Sequence, residues 1–174
     1  YKNYAYLGAA YVNALFKTEN PRVGLVNIGS EEEKGPDDIK AANALMKEST
    51  LNYIGYLEGK DLFEGKADVV VTDGFTGNVI LKVVEGTAKY MFTEVKNVLL
   101  KNIKTKIGSL FIKAEVYKLK DKMDPDIHGG APILGVNGLV IKSHGSSNAK
   151  TIKHVVLKAY DLANSTLMDD IRLN

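Results

Sequence analysis

The 174-residue chain is 45% hydrophobic, carries a formal net charge of +2 and contains no cysteine. That length suits one domain with a sizeable core, so small a charge gives no argument for a nucleic-acid partner, and without a thiol disulfides, zinc ribbons and an acyl-cysteine intermediate are excluded. No stretch approaches the roughly 20 apolar residues of a membrane span and nothing at the start has the pattern of a signal peptide, so a cytoplasmic location is expected.

The chain opens at Tyr1 directly into an apolar helical pattern, YKNYAYLGAAYVNALFK, and is expected to be a piece of a longer protein. Tyr4, Leu7, Ala10, Tyr11, Ala14 and Leu15 recur at helical spacing and predict an amphipathic helix over 3–17. RVGLVNI, 22–28, is a continuous apolar run after Pro21, the mark of a strand covered on both faces. GSEEEKGP reads as loop, and Pro36 with Asp37 and Asp38 opens a second helix through about Lys47. LNYIG is a short strand, KDLFEG one helical turn closed by Gly65, and ADVVVT, 67–72, another covered strand.

A long helix is expected from 77 to about 100 and a further one over 106–122. The glycine-rich segment 129–147 reads as loops around a short strand, LVIK, before a last helix from about Ser147 to Met168. Strands alternating with helices predict a three-layer α/β fold, a parallel sheet with helices on both faces.

In such sheets ligands bind beyond the carboxyl ends of the strands. Three loops qualify: NIGSEEEKG (27–35), DGFTGN (73–78) and KSHGSSN (142–148). Each combines glycine with small hydroxyl or amide residues, which lets backbone N–H groups approach an anion near a helix start. Ordinary turn chemistry accounts for each loop taken singly, and no Walker or GxGxxG pattern is present. The candidate anion contacts are Gly29, Ser30 and Lys34 in the first loop; Gly74, Phe75, Thr76, Gly77 and Asn78 in the second, with Lys82 beyond it; and Ser143, Gly145, Ser146 and Ser147 in the third. Asp73 is read either as a helix cap or as a base near a bound phosphate, and Lys142 and His144 as candidates for charge or proton transfer. His154 reads as structural and His128 stays undecided; the histidine spacing predicts no protein-bound metal.

Residues 96–122 hold eight lysines against Glu115 and Asp121, an excess of six positive charges. Val95, Val98, Leu99, Ile103, Ile107, Leu110, Phe111 and Ile112 are interleaved with them. Such a stretch suits an acidic protein or an anionic membrane surface, or is a lysine-coated face over a core or dimer contact.

Taken in this order, PRVGLVNIGSEEEKG, ADVVVTDGFTGNVILKVVEG and GGAPILGVNGLVIKSHGSSNA resemble the bacterial phosphate acyltransferase family of phospholipid synthesis. The resemblance covers nearly the whole chain and implies an isocitrate/isopropylmalate dehydrogenase-like fold, of which this would be the C-terminal half, with residues 90–125 as a protruding helical excursion. It implies a homodimer without a cofactor, taking inorganic phosphate and acyl-acyl carrier protein, and no activity in the isolated piece. It places Asp73, Lys142 and His144 at the chemistry and the three loops around phosphate. Lys101, Lys104, Lys106, Lys113 and Phe111 are then contacts for the acidic carrier or for the inner membrane face. A phosphotransacetylase using acyl-coenzyme A, a decarboxylating dehydrogenase, and a non-catalytic dimerisation or docking half remain as alternatives.

Overall fold

The computed structural model describes residues 1–123, 130–145 and 147–173. They divide into two compact units, one formed by Tyr1–Asp73, Ala131–Lys142 and Val156–Asn174, the other by Gly74–Gly130 and Ser143–Val155.

The first unit is built on a three-stranded parallel sheet of order β2-β1-β3, with β1 at Val23–Val26, β2 at Tyr53–Leu57 and β3 at Val69–Val71. β2 carries an extra residue against β1, which shifts the register between Val23 and Leu25. β1 and β3 are tied together where they start. Asp68 takes Arg22 Nη2 on Oδ1 at 2.9 Å and Arg22 Nε on Oδ2 at 3.0 Å, and the Arg22 N–H also donates to Oδ2 at 2.8 Å. Those hydrogen bonds hold the Asp68 carboxyl down at about 2.

Helices α1 (Lys2–Phe16) and α2 (Asp37–Lys47) pack on this sheet. α2 follows from its sequence: Pro36 stands at the N-cap, Asp37 and Asp38 complement the dipole of the first turn, and Ile39, Ala42, Asn43 and Met46 fall on one buried face. Ala5 of α1 joins Val23, Leu25, Val69, Val71, Ile39, Ala42 and Met46 in one core. The expectation of strands covered on both faces holds for β1 only in part and fails for β3. Val70 is 42% exposed and Ile54 of β2 40%, so the sheet's other face is open there. A 3₁₀ turn at Gly59–Phe63 stands where one helical turn was expected.

A second, antiparallel sheet in this unit pairs β4 (Ala131–Ile133) with β5 (Val140–Lys142). Leu134, Leu139 and Ile141 pack with Ala10 and Ala14 of α1 and with Leu162 and Leu167. Sequence reading finds β5 and misses β4. The expected last helix is two, here α5 (Ala149–Ala163) and α6 (Leu167–Leu173). Polar side chains break it: Asn164 Nδ2 donates to the Tyr160 carbonyl at 2.7 Å, Ser165 Oγ donates to the Leu162 carbonyl at 2.8 Å, and Ser165 Oγ accepts the Leu167 N–H at 3.2 Å.

The second unit contains α3 (Gly74–Leu99) and α4 (Ile103–Lys122), neither with a buried residue. Asn102 starts α4 with a capping box, its Oδ1 accepting the Thr105 N–H at 3.0 Å while its own N–H donates to Thr105 Oγ1 at 3.1 Å. No described helix is long and apolar enough to cross a membrane.

Candidate anion-binding site

In the first unit, two of the predicted loops leave neighbouring strands at one edge. Leu25 is in register with Val71, so Asn27 with residues 28–35, and Thr72 with Asp73, follow the carboxyl ends of adjacent parallel strands. Asp73 is half-buried. The Tyr1 hydroxyl donates to Asp38 Oδ2 at 3.0 Å. Burial first, then Asp38, then the charge of Asp73, push that hydroxyl up to about 12. The first turn of α2 and the end of β3 therefore bring two carboxylates within electrostatic reach of one phenol.

The loop after β1 is held through its backbone. Asn27, 7% exposed, donates its N–H to the Leu57 carbonyl and its Nδ2 to the Lys34 carbonyl, both at 2.9 Å. The Lys34 N–H donates to the Glu31 carbonyl at 3.1 Å. Gly35 has φ +93°, and a Cβ there would stand 2.1 Å from Asn27 Oδ1. That Oδ1 is buried without a hydrogen-bond partner. Lys34 Nζ meets Glu31 Oε1 at 2.8 Å. Its hydrogen bond, followed by backbone hydrogen bonds from Glu31 and Ser30, holds the Glu31 carboxyl below the usual carboxylate range. The same pair raises Lys34. Gly29 is buried beneath this pair, and Ser30 is exposed.

In the second unit, the helix expected from 77 already begins at Gly74, so Gly74, Phe75, Thr76, Gly77 and Asn78 open α3 instead of forming a loop. Phe75 is 81% exposed. The start of a helix directs N–H groups and positive potential outward, which suits an anion. Lys82 stands eight residues after Gly74, about 12 Å along the axis, and pairs with Glu85 at 2.8 Å.

In the third loop Ser143 Oγ and Ser147 Oγ share a hydrogen bond of 2.6 Å, and the Ser147 N–H donates to the His144 carbonyl at 3.1 Å. Asn148 caps α5, its Oδ1 accepting the Thr151 N–H at 3.0 Å. His144 and Gly145 are exposed. Ser146 and His128 lie outside the described residues. Lys142 is exposed at the end of β5 in the first unit. β5 belongs to the antiparallel pair, so three loops at one edge of the parallel sheet is corrected to two strand ends of that sheet, with the third loop leaving a different one.

Asn27 and Glu31 are the residues that sequence reading passed over. An asparagine ending an apolar run is a weak signal, and nothing in EEEK says which acid takes the lysine. On α4 and in the turn before it, Lys101, Lys104, Lys106 and Lys113 are exposed, Phe111 is 85% exposed, and Lys113 Nζ lies 5.9 Å from the Tyr117 ring centroid. Among the described residues, no group of three or more acidic or histidine side chains could hold a metal ion.

Comparison with known proteins gives a consistent set of matches. The family described as "Fatty acid synthesis protein" matches residues 2–169. The phosphate acyltransferase of Acetivibrio thermocellus is 49% identical over 172 residues, 99% of this chain and 51% of that protein. Those of Lysinibacillus sphaericus and Brucella anthropi are 45% and 42% identical, over 97% of this chain and 51% and 49% of theirs. The chain thus spans about half the length of the curated relatives it matches.

Proposed function

The chain belongs to the fatty acid synthesis protein family, and we propose that it is the C-terminal half of an acyltransferase that moves an acyl group from acyl-acyl carrier protein to inorganic phosphate. The observation that carries this reading is the shared edge of β1 and β3, where the Lys34 loop and Asp73 follow adjacent parallel strands. The relatives' name agrees with it. A phosphate oxygen attacks the thioester carbonyl, a C–O bond forms, the C–S bond breaks, and the electron pair leaves on sulfur, yielding acyl phosphate and the carrier thiol. A thiolate is a good leaving group, so the protein's task is to hold and aim phosphate and to stabilise the oxyanion. Lys34 supplies charge to phosphate, and Asp73 accepts its proton.

Gly29, Ser30, the residues opening α3, Lys82, Lys142, Ser143, His144, Gly145, Ser146 and Ser147 complete the proposal as anion or oxyanion contacts. The fold of the whole protein would be isocitrate/isopropylmalate dehydrogenase-like, the protein a cytoplasmic homodimer, and residues 90–125 its excursion. The lysine excess over 96–122, on helices with no buried residue, fits the acidic carrier, and an anionic membrane surface second.

The test uses the intact protein, with acyl phosphate trapped by hydroxylamine. Acyl-acyl carrier protein and acyl-coenzyme A are compared as donors. Asp73→Asn should lower kcat about a hundredfold or more with little change in stability. Lys101, Lys104 and Lys106 changed together to glutamate should raise KM for the carrier without altering that for phosphate, an effect mimicked by added salt. Normal kcat in the Asp73 variant would remove the base from this scheme, and an unaltered carrier KM would leave the lysines as a solubilising surface.

A further inference from the structure

The Lys34 loop already holds an anion, and it is the chain's own. The Glu31 carboxylate takes the Lys34 ammonium at 2.8 Å. An ammonium that takes a carboxylate in this way can equally take a free oxyanion. The pair lies directly over Gly29: a Cβ at 29 would come 2.4 Å from Lys34 Cδ and 2.8 Å from Glu31 Oε2. Glycine at 29 is therefore what lets carboxylate and ammonium settle against the main chain.

The pair does not hold the loop's shape. The Asn27 Nδ2 bond to the Lys34 carbonyl and the Lys34 N–H bond to the Glu31 carbonyl fix the backbone on both sides of Lys34. Both side chains are about half exposed, 49% for Lys34 and 55% for Glu31, so they can part at the cost of little more than uncovering Gly29. A contact that is well made, solvent-accessible and unnecessary for the fold is one that can exchange.

We propose that Glu31 is a displaceable occupant of an anion site formed by Lys34 over Gly29, and that inorganic phosphate enters by replacing the Glu31 carboxylate. This rests on the acyl transfer to phosphate proposed above. The carboxylate keeps the ammonium oriented while the site is empty of substrate, and it sets a threshold. A dianion with three acceptor oxygens displaces it more readily than a monoanion of similar size does.

The experiment is the phosphate dependence of acyl phosphate formation in the intact protein, with inorganic phosphate binding followed by calorimetry. Glu31→Gln should lower KM for phosphate about two- to fivefold, the range an exposed ion pair carries, with the effect on KM and not on kcat. Lys34→Met should raise that KM, and in its background Glu31→Gln should do nothing, because the two residues act as one pair. Glu31→Gln indistinguishable from wild type, beside a Lys34→Met variant that binds phosphate weakly, overturns the exchange and leaves the phosphate site standing. A Lys34→Met variant with normal phosphate dependence overturns both the exchange and this loop's place in the site. Wild-type protein that neither binds nor uses phosphate at millimolar concentration overturns the functional reading itself, and this inference with it.

Discussion

Gly35 is where the loop's geometry is most sharply specified, and replacing it by alanine should destabilise the protein. Two costs arise. The backbone there has φ +93°, which a residue with a Cβ adopts at about 1–3 kcal/mol. The added Cβ would also stand 2.1 Å from Asn27 Oδ1 and 2.9 Å from its Cγ, so the amide must turn away. Turning it breaks the Nδ2 bond to the Lys34 carbonyl and strands a buried amide, worth about 1–3 kcal/mol more. Gly35→Ala should therefore destabilise by about 2–6 kcal/mol in urea unfolding and raise the phosphate KM by loosening the carbonyl that anchors Lys34. Asn27→Ala removes the clashing group, so the double variant should be more stable than the sum of the two single losses predicts. A Gly35→Ala protein within about 0.5 kcal/mol of wild type, or a double variant with strictly additive losses, would refute the clash.

Two further outcomes are expected. Gly77 lies within α3, where alanine should stabilise the helix by up to about 1 kcal/mol; a side chain facing a bound anion should nevertheless raise the phosphate KM, and a more stable variant with normal phosphate kinetics would show that the glycine serves only to start the helix. Asp68 has a folded pKa of about 2 against the ordinary 3.8, so between those values the folded protein binds fewer protons than the unfolded one. Its contribution is thus complete above about 3.8 and lost as pH falls toward about 2. The stability gap between wild type and Asp68→Asn should close over that window in acid titrations followed by circular dichroism. A gap independent of pH from about 5 to about 2 would show that the Arg22 pair is not its source.

What could be read from the sequence follows the range of the physics involved. α2 is announced by residues in contact along the chain: a proline that cannot continue a strand, two acids on a helix start, and apolar positions three and four apart. The break between α5 and α6 is equally local, since Asn164 and Ser165 bond backbone three and four residues away, yet the apolar period carries across it and hides it. β4 was hidden for the opposite reason. Ala131 and Pro132 disfavour a strand and the single Ile133 does not outweigh them, and the three are extended because residues 140–142 pair with them. At β3 an apolar run predicts a strand covered on both faces, whereas Val70 is open, because the pattern cannot say which neighbours cover a face.

The site divides along the same line. Which loops leave the parallel strands is a matter of order along the chain, and for the first two loops that order was legible. Which charges remain available there is not, because a lysine in a motif says nothing about its nearest carboxylate. Lys34 and Lys82 each meet a glutamate three positions away, Glu31 before it and Glu85 after it. Neither can take an anion without giving up a partner. Among the described residues Lys101, Lys104 and Lys106 make no such pair, so their charge is felt at a distance. The two groups should then respond differently to salt. Screening weakens a long-range attraction between the lysine-rich stretch and an acidic carrier. In the loop, salt should weaken the Glu31–Lys34 pair and the phosphate contact proposed to replace it together, so the exchange between them should change less. Carrier KM rising steeply with ionic strength while phosphate KM stays nearly level is the signature of docking by field and binding by exchange.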